Sequence, residues 1–389
     1  MGEKERWSQG LADDILQLIA QRLYISDYLV FRQVCPNWRA AVDRGLATRS
    51  CPPAPQLPWL LLHNFYGLWT SPGNQYSLDA LYIERHQYSF RRAPTSFRSE
   101  IMSSPVSYSF RYCVGSIESW LIVAIYQRCR KNNSSTVVNF FFNPVSRARV
   151  MLPSKDSFLM KIVASSPPAP TTRLQQKQHN CFVAALSYGN RLGICRPTDT
   201  SWTVIETIDG LDYKDIEIID QKLYVVCREK LRDNKYYVLE FDILSEDDNV
   251  TRAKYNCRLC IDIPNFSVLN SILYPCLAKD SASKELFIIR SRSLIRKGFR
   301  VYKMESKTDG EPSCKEATDL GDRTLFLSNK SNKVINDKTL GKNCIYFAYD
   351  LEGGFGVYSL ADRSIKRVYF PTDYSFSSRE TIWFTPHPW

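Results

Sequence analysis

The sequence predicts an α+β chain of two unlike parts: a small three-helix unit at the amino end, then a mainly-β propeller of six blades, seven being the alternative. Three observations carry this. Apolar residues recur at helical spacing between positions 11 and 23. From position 59 onward the chain runs as short β-like segments between polar turns. Aromatic residues make up 13% of the 389 positions while glycine contributes only 16, a balance that favours pleated, half-buried strands. At ~100–200 residues per domain the length means roughly two domains or one large repeat architecture. With 44% hydrophobic and 23% charged residues, a sizeable core can be buried, and disordered or collagen-like classes are excluded.

The first helix rests on Leu11, Ile15, Leu16, Leu18, Ile19 and Leu23, spaced by threes and fours along one face. Asp13 and Asp14 fall in its first turn, where negative charge meets the positive end of the helix dipole. Ser26 or Asp27 can cap a second helix carrying Leu29, Val30 and Val34. Pro36 suits the first turn of a third, with Trp38, Ala41 and Val42. A unit this small seldom holds a core alone, since the buried fraction of surface falls with size below ~60 residues. It is either a cap on the larger body or a module whose apolar face another protein completes.

Four prolines in Ser50-Cys-Pro-Pro-Ala-Pro-Gln-Leu-Pro58 favour a semi-rigid extended connector. The expected organisation is therefore a helical module at 1–49, a linker at 50–58 and the propeller at 59–389. Strand-like runs include 120–126, 136–142, 181–187, 191–195, 202–207, 216–219, 222–227 and 236–243. They continue at 285–289, 298–303, 324–327, 344–349, 354–360, 366–370 and 381–384. Pro58-Trp-Leu-Leu-Leu62 and Ile382-Trp-Phe384 are expected to pair and close the ring, because pairing the two ends removes exposed edges. Polar stretches at 87–98, 165–178 and 328–342 read as loops able to contact a target.

Catalytic and metal signatures are sparse. A G-x-S-x-G elbow, a Walker A stretch and G-x-G-x-x-G are all absent, and Gly353-Gly-Phe-Gly356 reads as a hairpin turn. His63, His86, His179 and His387 are isolated, which makes structural or surface roles the default. Cys257-Arg-Leu-Cys260 is the one C-x-x-C, and a structural zinc needs a second pair nearby, so no metal or other cofactor is expected. The twelve cysteines read as mainly buried free thiols. The charged amino-terminal stretch and the shortness of the apolar runs predict neither a secretory signal nor a membrane span, hence a cytoplasmic or nuclear protein.

The net charge is +11. Six cations and no acid lie between Arg290 and Lys303, but alternation puts Phe299 and Val301 on one face and Arg300 and Tyr302 on the other. A strand with one wet face accounts for this better than a nucleic-acid patch does.

Two resemblances add to this reading. Trp7-Ser-Gln-Gly-Leu-Ala-Asp-Asp-Ile-Leu16 followed by Asp27-Tyr-Leu-Val-Phe-Arg-Gln-Val-Cys-Pro-Asn-Trp-Arg39 resembles an F-box, with Ala12 where that family has proline. The resemblance implies docking on a Skp-type adaptor, and through it on cullin, by Leu11, Ile15, Leu16, Ile19, Leu23, Leu29, Val34 and Trp38. Replacing the proline costs an effect of ~0.4–1 kcal/mol through the unfolded chain, enough to weaken adaptor affinity without abolishing it. Asn143-Pro-Val-Ser-Arg-Ala-Arg-Val-Met-Leu-Pro153, Leu320-Gly-Asp-Arg-Thr-Leu-Phe-Leu327, Gly341-Lys-Asn-Cys-Ile-Tyr-Phe347 and Ile382-Trp-Phe-Thr-Pro386 are similar to plant F-box proteins with a KIB-type β-propeller. Together they imply a non-catalytic substrate receptor of an SCF-type ubiquitin ligase, with an undefined target protein.

Overall fold

The computed structural model describes residues 10–48, 57–64, 78–84, 87–92, 109–128, 135–155, 159–168, 181–230, 236–245, 251–261, 274–291, 298–306, 312–336, 340–349, 354–369 and 379–387. Three helices come first: α1 (Asp13–Ala20), α2 (Ile25–Phe31) and α3 (Pro36–Thr48). Pro36 opens α3, the position where its missing N–H costs nothing. The residue preceding α2 is Tyr24, so Ser26 and Asp27 lie within its first turn rather than capping it. Asp27 still meets the helix dipole there. Ala12 occupies the cap position of α1 in extended conformation and supplies no side-chain bond.

The body is a ring of sheets. The first joins β1 (Trp59–Asn64), β2 (Leu78–Glu84) and β3 (Gln87–Arg92), and the second β4 (Ser109–Ile117), β5 (Trp120–Arg128), β6 (Ser135–Phe142) and β7 (Arg149–Lys155). The third holds β8 (Leu159–Ala164), β9 (Val183–Ser187), β10 (Arg191–Cys195) and β11 (Thr203–Ile205). The fourth holds β12 (Leu211–Ile219), β13 (Lys222–Glu229), β14 (Tyr236–Ser245) and β15 (Thr251–Ile261). The fifth holds β16 (Cys276–Asp280), β17 (Glu285–Ser291), β18 (Phe299–Ser306) and β19 (Pro312–Glu316). In the sixth, β20 (Arg323–Ser328), β21 (Lys333–Asn336), β22 (Cys344–Tyr349), β23 (Gly354–Ser359) and β24 (Ile365–Tyr369) run in the order β21-β20-β22-β23-β24. The last strand, β25 (Arg379–Phe384), returns to the first sheet and pairs with β1.

That return is the expected closure. Trp59 faces Phe384, Leu60 faces Trp383 and Leu61 faces Ile382 in an antiparallel ladder. The strand that opens the body is thus held by the one that ends it, and β25 becomes the inner strand of the first sheet. The expected six blades, with seven as the alternative, are corrected to five regular blades. Five sheets have regular four-stranded antiparallel construction, whereas the sixth has five strands and a parallel β20–β22 pair. No seventh sheet occurs among the described residues.

Each apolar cluster fills the space between two neighbouring sheets. Phe182 and Leu192 of the third sheet meet Ile216 and Phe241 of the fourth. Val226 and Tyr236 meet Ile288 and Tyr302, and Phe326 and Tyr346 meet Leu60 and Trp383. A sheet packed on both faces reads as a continuous apolar run, as in Val183–Ser187, where all five positions are buried. For the same reason the expected wet face of β18 is only partly there, Arg300 staying half-buried while Tyr302 is covered. Tyr302 packs into the interface with the fourth sheet, while Lys303 pairs with Glu285 at 2.5 Å and Arg300 with Glu316 at 3.7 Å.

Two loop expectations also change. Residues 87–92 form β3, so only the rest of 87–98 is left, outside the described residues. Within 328–342, Ser328, Lys330, Ser331 and Asn332 are buried and turn inward, and 333–336 form β21. Gly354–Gly356 belongs to β23 rather than to a turn. Gly356 faces Phe347 across the ladder, and a Cβ there would lie 2.3 Å from the Phe347 ring, so only glycine lets the ring lie flat over the strand.

Candidate functional site

The three helices share an apolar cluster made by Leu16, Ala20, Ile25, Tyr28, Phe31, Ala41 and Val42. The cluster continues into the interface of the first two sheets through Trp59, Leu61, Phe142 and Phe384. The helical unit is too small to bury its core alone, and this junction supplies the missing surface. Polar bonds fix the helices to one another. Gln17 donates to the Ala41 carbonyl at 3.0 Å, Arg32 pairs with Asp43 at 2.6 Å, and Arg44 with Asp13.

With one face of α1 spent on this core, a second apolar set is left outward. Leu11 is 36% exposed, Ile15 41%, Leu18 52% and Ile19 37%. Leu18 and Ile19 lie three and four residues after Ile15 and share its stripe of α1, with Leu11 just ahead of the helix. Val30 and Val34 are more exposed still, at 64% and 57%. A group of exposed aliphatic side chains on so small a unit is a mark of an interaction surface.

The residues singled out from sequence therefore divide. Leu11, Ile15, Ile19 and Val34 are on the exposed set. Leu16, at 2% exposure, belongs to the core instead. Leu23, Leu29 and Trp38 pack partly buried against that core, Trp38 with its ring 4.4 Å from that of Phe31. Leu18 and Val30 complete the exposed set without having been singled out as contacts. Their signal was present: Leu18 continues the spacing of Leu11 and Ile15, and Val30 precedes Val34 by four positions.

Reactive groups do not gather into a nucleophilic site among the described residues. None of the eight described cysteines is in a disulfide, and burial pushes the Cys181 thiol up to about 11, against its hydrogen bond to the Ser166 carbonyl. A thiol held protonated is a poor nucleophile. Of Cys257 and Cys260 only the backbone is described, in β15 opposite Glu240 and Tyr237. His86 and His179 lie outside the described residues, as does most of the proline-rich connector at 50–58. No described helix is long and apolar enough to cross a membrane.

A buried asparagine ties the second sheet to the chain end. The Asn143 side-chain oxygen accepts from the amides of Val145 and Ser146 at 2.9 and 3.0 Å, and its nitrogen donates to the His387 carbonyl at 2.9 Å. This explains why an Asn-Pro turn stands at that point: one side chain organises the β6–β7 turn and anchors the segment after β25.

Comparison with known proteins follows the same division. Residues 9–45 match the F-box domain, and residues 88–359 match the KIB1-4 beta-propeller. A protein of Arabidopsis thaliana that carries the provisional name of F-box protein is 23% identical over 406 aligned positions, covering 98% of this chain and 93% of its own. Among solved structures, a chain from the Saccharomyces cerevisiae complex of Dbp5 with Nup159, Gle1, IP6 and ADP is similar at 9% identity and a TM-score of 0.32, covering 78% of this chain and 77% of that one. A Mycobacterium tuberculosis puromycin-hydrolyzing peptidase is similar at 14% identity and a TM-score of 0.34, covering 69% and 40%. Neither function nor fold follows from structural scores that low. The family match spans most of the body and has the helical domain ahead of it: the chain belongs to the KIB1-4 beta-propeller family and carries an amino-terminal F-box domain.

Proposed function

We propose that this chain is the substrate-recognition subunit of an SCF-type E3 ubiquitin ligase, acting in the cytoplasm or nucleus. In this reading residues 1–49 dock on a Skp-type adaptor, which links them to cullin, while 50–58 space the module from a propeller at 59–389 that holds the target. The chain itself is not a catalyst. It raises the local concentration of a target lysine near the transfer machinery, and rate then follows from presentation geometry.

The observation that carries the proposal is the outward aliphatic set Leu11, Ile15, Leu18, Ile19, Val30 and Val34. An amphipathic helical surface of this kind is complementary to an apolar groove on a partner, and burying it gains roughly 25 cal/mol per Å² of apolar area. Co-expression of the full chain with a Skp-type adaptor tests the proposal. A stable one-to-one complex is expected on gel filtration; elution of the two proteins apart at micromolar concentration would refute it.

A further inference from the structure

The inner strands pack on one another around the ring, β25 on β4, β4 on β8, β8 on β12, β12 on β16 and β16 on β21, and β20, beside β21, packs on β25. These inner strands and the turns at their ends enclose a cavity of about 460 Å³, within the range of small-molecule sites. Four lysines line it: Lys161 from β8, Lys279 from β16, Lys330 from the β20–β21 turn and Lys333 from β21. Among the described residues two carboxylates, Glu118 and Glu217, and the His387 imidazole join them, and Glu118 is exposed.

The inner charges are partly matched. Asp215 and Glu217 alternate along β12 and so point to the same side. Asp215 sits 2.5 Å from Lys161, and Glu217 3.2 Å from Lys279. Asp215 is further held by the amides of Ile216 and Leu277 at 2.9 and 2.8 Å, which leaves little of its charge for other cations. Lys330 donates to the Met160 carbonyl at 2.7 Å. Lys333 has the weakest compensation, a 3.5 Å approach to the Glu118 backbone carbonyl and no carboxylate within ion-pair distance among the described residues.

Lys279 is already held by the Ala164 and Ile218 carbonyls at 2.6 and 3.0 Å as well as by Glu217. We propose that this axial cavity binds a small phosphate-bearing anion, held by Lys333 together with Lys330. Among the described lining residues the standing cations are lysines, with the His387 imidazole beside them, and a compact ammonium is a common point-charge partner of phosphate. The site is separate from the helical face and stands or falls without the adaptor. It has a proton signature as well. Burial pushes the Lys333 ammonium down to about 8, partly opposed by the nearby Glu118 charge, and Lys279 lowers it further. An arriving anion reverses that, so binding near pH 8 takes up a proton.

Calorimetric titration of the full chain with inorganic pyrophosphate, run at pH 8 in two buffers of different ionisation heat, tests the proposal. One site with net proton uptake is expected. Lys333→Met weakens binding by at least about tenfold, equivalent to ~1.4 kcal/mol, while Lys333→Arg keeps it. The exposed control Lys284→Met leaves it unchanged. No binding up to about 1 mM overturns the proposal, as does equal affinity for Lys333→Met or for succinate in place of pyrophosphate. Thermal melts of each variant confirm that a loss of affinity is not a loss of fold.

Discussion

Ile15 and Leu16 are neighbours in sequence and face opposite environments: Leu16 is 2% exposed in the core that joins the helices to the ring, and Ile15 is 41% exposed on the outer stripe. The two side chains divide stability from binding. Leu16→Ala leaves a cavity and is expected to cost about 2–5 kcal/mol, and Ile15→Ala no more than about 0.5 kcal/mol, by thermal or denaturant unfolding. A charge at Leu16 tests folding and not docking, so adaptor-blind variants belong at Ile15 or Val34.

Gly356→Ala is expected to destabilise the sixth sheet by about 1–3 kcal/mol, because the added methyl would meet the Phe347 ring at 2.3 Å. Phe347→Leu in the same chain relieves the clash. A double-mutant cycle on unfolding free energies measures the coupling.

Arg323 joins Asp280 at 2.8 Å and Glu285 at 2.5 Å, holding the fifth sheet to the sixth. Burial would raise the Asp280 carboxyl, but Arg323, Ser283 and the amides of Ala282 and Ser283 outweigh it and hold it below the usual range. Glu285 is also lowered, chiefly by Lys303. Carboxylates more acidic when folded stabilise above their unfolded values near ~4 and lose that contribution as pH falls through the folded ones. Arg323→Met is expected to cost about 2–3 kcal/mol at neutral pH and to flatten the acid limb of the stability curve.

Lys333 gives the opposite limb. Its ammonium titrates at about 8 in the folded chain, against ~10.4 unfolded, so the unfolded state binds more protons between those values. Stability therefore rises with pH across that window. Denaturant titrations at pH 7.5 and 10 are expected to show the rise in the wild type and its absence in Lys333→Met.

How far the sequence was legible follows from what each strand packs against. Middle strands such as β5, β9 and β13 are apolar on both faces and stand out as runs. The inner strands β8, β16 and β21 were missed, because Lys161, Lys279 and Lys333 interrupt their pattern and polar charge in a sequence reads as loop. Outer strands such as β3, β7, β15 and β19 were missed as well, their exposed edges being rich in polar residues. On the helices, periodicity found the amphipathic segment but merged its two faces. A three-and-four spacing cannot say which side the rest of the fold will cover, and Leu16 is buried in the cluster the three helices share. Likewise β18 looked half-wet, since period-two alternation carries no information about a neighbouring sheet's Tyr236 and Val226.

The most direct measurement is adaptor affinity by isothermal calorimetry for the full chain, its Ile15→Asp and Val34→Asp forms, and a Leu244→Asp control at an exposed position of β14. With melting temperatures matched to wild type, both helical variants are expected to bind a Skp-type adaptor at least about tenfold more weakly and the control to bind unchanged. Affinity equal to wild type in both helical variants would contradict the assignment of the outer stripe as the adaptor face.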